Sequence, residues 1–179
     1  VHAIATSNGV ASICMHYMPP SIDGPIIAKQ NHSTSCLSAF FWARRPSEVS
    51  VSMVSKLLAG IKEKLNIHVH LSADPGEQEV GESDVELAFK ECQSLTTSRW
   101  FESKKEILEI IKNCDIYIAP RLEEGIGQSF LEAHAAGLCV VAPNNGTMNE
   151  YLVDGVNGLL YNPNDPKELD FSELSQMRK

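Results

Sequence analysis

The sequence has little of what several large functional classes require. Its 15 Lys and Arg residues stand against 23 Asp and Glu residues, which gives a net charge of −8, whereas nucleic-acid-binding domains usually present a basic face. No apolar run approaches the ~18 residues that a membrane-spanning helix needs. The N-terminus also lacks the basic segment and apolar run of a signal peptide. We therefore expect no nucleic-acid partner and no transmembrane segment.

Paired cysteines are equally absent. The five cysteines are odd in number and widely spaced, and no CxxC pair occurs. This pattern is typical of reduced thiols in a cytosolic protein, so we predict a cytoplasmic location. His68 and His70 share one face of a strand-like segment, but no further ligand lies nearby in the sequence. We interpret them as core or edge residues rather than metal ligands.

The chain does contain a regular alternation of strand-like and helix-like segments. Apolar or β-branched runs predict strands at 39–43, 68–71, 115–119, 140–142 and 159–161, with a weaker one at 97–100. Helical patterns occur at 47–65, 84–93, 104–113, 128–137 and 148–153, and a last helix is expected from 165 to 176. The alternation predicts an α/β fold, a Rossmann-like doubly wound and mainly parallel six-stranded sheet flanked by helices.

The organisation predicts one main domain with an appendage. Residues 1–36 contain two strand-like segments and one helix-like segment, but too little apolar surface for a domain of their own. Residues 37–179 hold the alternating pattern and form the predicted domain. Within it, residues 72–83 are polar and contain glycine, which indicates an exposed loop.

Residues 115–138, DIYIAPRLEEGIGQSFLEAHAAGL, are the segment most indicative of chemistry. They read as a strand, a glycine turn and a helix whose first N–H groups, on Gly127, Gln128 and Ser129, lack intrahelical partners. Such a helix end binds anions, and the carboxyl edge of an open α/β sheet is where ligands sit. Glu132 lies on the same helix side as Gln128. Because a phosphate would repel it, a ribose diol is its natural partner.

Two other interpretations of this segment stay open on physical grounds alone. A dinucleotide fingerprint would use Gly125 and Gly127, but Phe130 stands where its third glycine is required, and the strand is not the first in the chain. A plain strand–turn–helix unit with two solvated glutamates is the other interpretation, since exposed glutamates are common on helices.

Residues 120–165 resemble the signature of retaining GT-B glycosyltransferases, the group 1 family that includes glycogen synthases and sucrose synthases. Glu124 and Glu132 match its Glu-x7-Glu motif, Gly127 matches the glycine before the helix, and residues 154–158 match a later turn. The resemblance implies that the predicted domain is one half of a GT-B fold.

The resemblance also implies roles for individual residues. Glu124 would be the catalytic residue near the donor sugar, Glu132 would bind the ribose, and the backbone after Gly127 would hold the diphosphate. Members of the family transfer the sugar with retained configuration and use no bound metal, so we expect no cofactor. The chain contains no Asp-x-Asp pair, which agrees with this. Leaving-group charge would be met by a helix end and basic side chains.

The basic side chains depart from the family pattern. An Arg is expected at the end of the first strand, which Arg44 or Arg45 supplies, and a Lys or second Arg about five residues later. Five residues after Arg45 stands Ser50. Arg121 occupies a position where a small residue is common, and it either adds the missing charge or is exposed.

The loop at 143–147, PNNGT, resembles the family's glycine loop after the fifth strand. It places Gly146 and Thr147 among the expected donor-binding residues. An ordinary Asn-Gly turn explains the same residues equally well.

GT-B enzymes have two Rossmann-like domains, and only the second is recognisable in this chain. Residues 1–36 resemble the tail of the first domain, so the acceptor-binding domain is expected to be missing, together with any peripheral membrane contact it provides. We expect a donor-binding half that binds a nucleotide sugar and is inactive alone, because half of the water-excluding cleft is absent. The alternative is a non-catalytic nucleotide-sugar-binding or interaction module of the same fold.

Overall fold

The computed structural model describes residues 36–125 and 127–177, and within them six strands and six helices. The strands are β1 (Cys36–Trp42), β2 (Lys64–His70), β3 (Ser94–Ser98), β4 (Ile116–Ile118), β5 (Cys139–Pro143) and β6 (Gly158–Tyr161). The helices are α1 (Val51–Leu58), α2 (Glu82–Ala88), α3 (Lys104–Lys112), α4 (Gln128–Ala135), α5 (Met148–Tyr151) and α6 (Leu174–Met177). The two strands and the helix expected within residues 1–35 lie outside the described residues.

The six strands form one sheet in the order β3-β2-β1-β4-β5-β6. Every pairing is parallel, with Phe41 opposite Val69 on one side and Ile118 on the other. The predicted α/β fold with a doubly wound sheet is therefore confirmed. The chain runs outward from β1 to β3, then returns to β4 and runs outward the other way. β1 and β4 thus flank the switch point, at whose carboxyl edge ligands bind in open α/β sheets.

The central strands are buried because helices cover both faces of the sheet. On β1, Ala39 and Phe41 belong to one apolar cluster and Phe40 belongs to the other, all at most 1% exposed. A strand buried on both faces reads as a continuous apolar run, which is what LSAFFWA shows. Tyr117 on β4 and Val140 on β5 extend the second cluster.

The two ends of helix α1 are each set by an identifiable residue. The Ser50 hydroxyl accepts a hydrogen bond from the Met53 backbone N–H at 3.2 Å and caps the first turn. Val51, Val54, Leu57 and Leu58 are buried against the sheet. The helix ends before Gly60, where an added Cβ would lie 1.9 Å from the Leu169 carbonyl oxygen. The helix therefore closes at a position that only glycine fits.

Several expected boundaries are wrong, among them that of the helix expected at 84–93, which spans Glu82–Ala88. The helix expected at 47–65 ends at Leu58, and β2 begins at Lys64, because Leu65, Ile67, Val69 and Leu71 alternate into the core with strand periodicity. Strand β3 is Ser94–Ser98 instead of 97–100, since its register is set by pairing with β2.

The last helix is also shorter than expected. Only Leu174–Met177 is helical within the region expected to be a helix from residue 165. The Leu169 N–H instead donates to the Leu57 carbonyl at the end of α1 at 3.0 Å. Tertiary contact with α1 therefore replaces the local helix. Among the described residues, no helix has the length and apolar character needed to cross a bilayer.

Candidate functional site

The loops at the carboxyl edge of the sheet bring together residues that are far apart in sequence. Arg44 and Arg45 follow β1, Asp74 follows β2, Arg121 follows β4, and Thr147 follows β5. Asp74 forms ion pairs with arginines from two of the other loops. The switch point between β1 and β4 is therefore crossed by direct side-chain contacts.

Helix α4 begins at this edge with an open N-terminus. Gly127 is its N-cap, with φ +71° in the left-handed region, and no side chain caps the first turn. A Cβ on Gly127 would lie 1.8 Å from the Cε1 atom of Phe130. Both the dihedral and the space therefore require glycine, which leaves the first backbone N–H groups of the helix uncovered by a side chain.

Glu132 lies one turn into α4 and is largely shielded, with 18% of its side chain exposed. Its Oε1 atom accepts from Lys104 Nζ at 2.7 Å and from Gln128 Nε2 at 3.2 Å. Both contacts use one oxygen. Within the described part of the chain, no hydrogen bond to the second oxygen, Oε2, is found. A hydroxyl group of a ribose diol is a chemically suitable donor to it.

Glu132 lines a cavity of about 410 Å³ between the carboxyl ends of β1 and β2 and the start of α3. Six of its fifteen lining residues carry aromatic rings, namely Phe40, Trp42, His70, Trp100, Phe101 and Tyr117. Trp100 is 79% exposed, unusual for so large an apolar side chain. We call this space the aromatic cavity. It is large enough for a small ligand and suits a flat apolar group.

The histidines on β2 form one polar seam beside the cavity. The ring nitrogens of His68 contact Thr96 Oγ1 and Ser98 Oγ at 2.9 Å each, and His70 Nδ1 contacts Ser98 Oγ at 2.8 Å. Burial, with repulsion from His68, lowers the pKa of His70 to about 4. His70 also stacks on Phe101, with ring centroids 4.4 Å apart. His70 therefore lines the cavity, and His68 lies beside it on the same strand, where its ring nitrogens contact hydroxyl groups of β3.

The buried floor beneath α4 is fixed by Tyr117. Its ring is 1% exposed, and its hydroxyl contacts the Ser129 side chain. Burial raises the pKa of Tyr117 to about 12, so its hydroxyl stays protonated near neutral pH. The Ser129 side chain is thus engaged by the floor, while its backbone N–H belongs to the open helix end.

The two arginines after β1 have different surroundings. Arg45 Nη1 lies 2.5 Å from Glu48 Oε1, and Arg45 Nε lies 3.8 Å from both Asp74 and Glu77. Arg44 Nε instead donates to Asp74 Oδ1 at 2.7 Å, and its Cζ lies 4.9 Å from the centroid of the Trp42 ring. Arg44 therefore connects the aromatic cavity to Asp74, whereas Arg45 is held among carboxylates.

Glu124 lies beside this cluster. Arg121 Nη1 is 3.9 Å from Glu124 Oε2, and the Thr147 hydroxyl donates to the carbonyl oxygen of Glu124. Thr147 is also the N-cap residue of α5, so it joins the loops after β4 and β5. Gly146, the neighbouring residue, is exposed. We call Arg44, Arg45, Arg121, Asp74 and the carboxylates that contact them the arginine cluster.

All nine residues expected at the site lie at this edge of the sheet. They divide between the aromatic cavity with the start of α4 and the arginine cluster with the loop after β5. The sequence reasoning missed Asp74, Trp100, Phe101 and Lys104. Asp74 lies in a segment that the sequence analysis interpreted only as an exposed loop. Trp100 and Phe101 were missed because the strand expected at 97–100 ends at Ser98, so that both residues lie in the loop after it. Their position directly after a parallel strand was the available signal.

A second depression, of about 630 Å³, lies at the opposite edge of the sheet, where Lys64 opens β2. It is lined by the ends of α1 and α2 and contains no residue of the predicted site. Within residues 36–125 and 127–177, no group of three or more His, Cys, Asp and Glu side chains is arranged to hold a metal ion.

Comparison with known proteins gives one family match. A sequence profile of the family described as "Glycosyl transferases group 1" matches residues 26–171. An uncharacterized glycosyltransferase of Methanocaldococcus jannaschii is 34% identical over 83 residues, which are 44% of this chain and 24% of that protein. The matched part is thus about a quarter of that curated relative.

Solved structures share the fold at low sequence identity. The C-terminal domain of a glycosyl transferase group 1 family protein from Francisella tularensis is similar with a TM-score of 0.54 and 22% identity, over 73% of this chain and 69% of that one. HepE of Anabaena, solved in complex with UDP and glucose, is similar with a TM-score of 0.55 and 20% identity, over 79% and 38% of the two chains.

Proposed function

The chain belongs to the glycosyl transferases group 1 family, and we propose that residues 37–179 bind a nucleotide-diphospho-sugar for retaining, metal-independent glycosyl transfer. The observation that carries the proposal is the juxtaposition at one sheet edge of an aromatic cavity, an open helix N-terminus and a set of arginines. Each suits one part of such a donor: the base, the diphosphate, and the charge that develops on the leaving group.

The nucleoside end of the donor is assigned to the aromatic cavity. A flat base fits between ring faces such as that of Phe101, and the ribose then lies next to Glu132. The ion pair between Lys104 and Glu132 supports this role, because it fixes the carboxylate while leaving Oε2 to accept from a hydroxyl. UDP is the first nucleotide to test, since the solved HepE complex contains it.

The diphosphate end is assigned to Arg44 and the start of α4. The N–H groups after Gly127 carry the positive end of the helix dipole, and Arg44 lies at the neighbouring strand end. As the sugar leaves, negative charge grows on the terminal phosphate, and these groups stabilise it without a metal ion. Glu124, with Gly146 and Thr147 beside it, would then contact the sugar.

A second candidate function has one observation in its favour. The three guanidinium groups of the arginine cluster face four carboxylates, those of Asp74, Glu48, Glu77 and Glu124. Such compensation weakens the field available to a developing phosphate charge. A non-catalytic nucleotide-sugar-binding or interaction module would bind the donor without transferring it.

The experiment that tests donor binding is a calorimetric titration of the chain with UDP, GDP and ADP and their glucose conjugates. We expect one base to bind in the micromolar to millimolar range, and Glu132→Ala to weaken it roughly tenfold by removing the ribose acceptor. Glu106→Ala, which removes an exposed carboxylate from α3, is the matched control. Absence of binding by all of them, or equal affinity in Glu132→Ala, contradicts the proposal.

Transfer itself is tested in the complete protein, with an acceptor domain present. Glu124→Ala is expected to abolish sugar transfer while retaining nucleotide binding. Donor binding without any turnover in the complete protein would support the non-catalytic module instead.

A further inference from the structure

The arginine cluster contains one arginine that the sequence pattern of the family does not call for. Arg121 follows β4, whereas the second cation was expected in the segment after Arg45. That segment provides no such residue: Val49 is buried in the core and Ser50 caps α1. Both positions are therefore committed to the fold. Neither position can supply a second cation, whereas Arg121 brings one from another strand end.

Arg121 and Arg44 are held by the same carboxylate. Asp74 Oδ1 accepts from Arg44 Nε at 2.7 Å, and Asp74 Oδ2 accepts from Arg121 Nη2. The Asp74 backbone N–H also donates to the Arg44 carbonyl at 2.8 Å, which fixes the loop after β2 against the loop after β1. Asp74 thus bridges the ends of β1 and β4 and holds two guanidinium groups on either side of the switch point.

Each of these contacts uses only part of a guanidinium group. The hydrogen bond from Arg44 to Asp74 is made by Nε, and none is found from either terminal nitrogen within residues 36–125 and 127–177. Among the described residues, Arg121 Nη1 makes one contact, with Glu124 at 3.9 Å. A planar guanidinium group with free terminal N–H groups matches the oxygens of a phosphate.

Arg45 is held by a different carboxylate. Its Nη1 atom is bound to Glu48, whose other oxygen accepts from the Leu122 N–H at 3.1 Å. Arg45 and Glu48 therefore tie the loop before α1 to the loop after β4. The contact of Arg45 with Asp74 is longer, 3.8 Å from Nε to Oδ2, so Glu48 is its main partner, whereas Asp74 holds the other two arginines.

The electrostatics of Asp74 fit a positioning role. Burial would raise the pKa of its carboxyl, but hydrogen bonds from Arg44 and Arg121 outweigh this and hold that pKa below its usual value. Asp74 is therefore charged throughout the neutral range. Arg121 has 23% of its side chain exposed and Arg44 has 33%, so both are partly shielded from water, where a charge-assisted hydrogen bond is stronger.

We propose that Arg121, positioned by Asp74, is the second diphosphate-binding cation of this site and acts together with Arg44. The inference rests on the proposed function, since it concerns how the same donor is held. It assigns to Asp74 a positioning role that acts through the two arginines without contact to the donor.

The test is a calorimetric comparison of UDP with uridine on the 179-residue chain, or of GDP or ADP with their nucleosides if one of those binds more tightly. Arg121→Gln is expected to weaken the diphosphate roughly tenfold to hundredfold and to change nucleoside affinity less than twofold. Asp74→Asn should weaken the diphosphate by a smaller factor, again with little change for the nucleoside. Arg99→Gln is the matched control: Arg99 follows β3 and pairs with Glu79 and Glu82.

The outcomes separate the two claims. If the wild-type chain binds the diphosphate and Arg121→Gln binds it equally well, the inference is overturned while the proposed function stands. Equal weakening of nucleoside and diphosphate would reveal a merely structural role and overturn it too. If no nucleoside diphosphate binds the wild type, both fail. Should Arg121→Gln not fold, Arg121→Lys replaces it, which keeps the charge but loses the planar fork, with an expected loss of about threefold to tenfold for the diphosphate alone.

Discussion

The aromatic cavity and the arginine cluster lie side by side at one edge of the sheet, but they are built on opposite principles. The cavity is lined by several aromatic rings and by His70, which burial keeps neutral, with one ion pair in its wall. The cluster consists of guanidinium groups and carboxylates that compensate one another. Area removed from water should therefore govern binding in the cavity, and hydrogen bonds to charge should govern it in the cluster.

The difference suggests that the site recognises its ligand in two separable parts. Trp42 and Arg44 are only two residues apart and in contact, yet Trp42 lines the cavity and Arg44 belongs to the cluster. The alternation of side chains between the two faces of β1 does not explain why they belong to different regions, because residues two apart on a strand share a face. Trp42 is the last residue of the strand and packs across the sheet face, while Arg44 lies in the loop beyond it, where the chain turns toward Asp74.

The largest effect is expected at Gly127, where the two regions meet. Gly127→Ala places a Cβ 1.8 Å from the Phe130 ring at a φ of +71°, so we expect a loss of about 2–5 kcal/mol in the free energy of unfolding. Because the start of α4 serves both regions, nucleoside and diphosphate binding should fall together. Urea unfolding measures the first and calorimetry the second.

Gly125→Ala is the matched control for this substitution. A Cβ on Gly125 meets no atom within 4 Å, and its φ is not in the left-handed region. A change below about 0.5 kcal/mol is expected there. A Gly127→Ala variant as stable as Gly125→Ala would show that the helix start adapts, and the account of the open N-terminus would be wrong.

An intermediate effect should separate the regions. Phe101→Ala removes a stacking face from the cavity, so affinity for uridine and for UDP should fall alike, by roughly five- to tenfold. Arg44→Ala should weaken UDP by roughly tenfold or more and leave uridine nearly unchanged. Calorimetric titration of both variants with both compounds measures this. If Phe101→Ala weakens only UDP, or Arg44→Ala weakens uridine and UDP alike, the site is not divided into two separable parts.

The last effect concerns the pH dependence of stability and involves the histidines of β2. Burial lowers the pKa of His70 to about 4 from the 6.5 of an exposed histidine. The unfolded chain therefore binds more protons between these values, and stability present above pH 6.5 is lost as the pH falls toward 4. We expect the wild-type chain to lose on the order of 2 kcal/mol between pH 7 and pH 5 in urea unfolding, with His68 contributing in the same direction.

His70→Gln should lose less over the same interval, and His134→Gln on α4 should behave as the wild type. Asp74 does not contribute in this window. Its lowered pKa means that its stabilisation is lost only in more acidic solution, as the pH falls below its unfolded value of about 3.8. Identical pH dependence in His70→Gln and the wild type would show that the seam on β2 does not govern acid stability.

Much of the fold follows from local pattern. The apolar run of β1 and the alternation of strands and helices predict a doubly wound sheet, and the structure has one. Errors arose where local signals were weak or were overridden by contacts. The polar strand β3 takes its register from β2, and residues 165–170 pack on the end of α1 instead of continuing a helix.

The sequence by itself determined the strand–turn–helix unit, the spacing of Glu124 and Glu132, and the need for glycine at residue 127, because these depend on neighbours within one turn or one helix. Only the tertiary structure decided which carboxylate holds each arginine. Arg44 and Arg45 are equivalent as a sequence pair, and their difference arises from Asp74 and Glu48, which reach them from another loop and from the start of α1. Side chains brought together by parallel strands share no sequence neighbourhood. Pattern alone therefore could not reveal the bridge from Arg44 through Asp74 to Arg121.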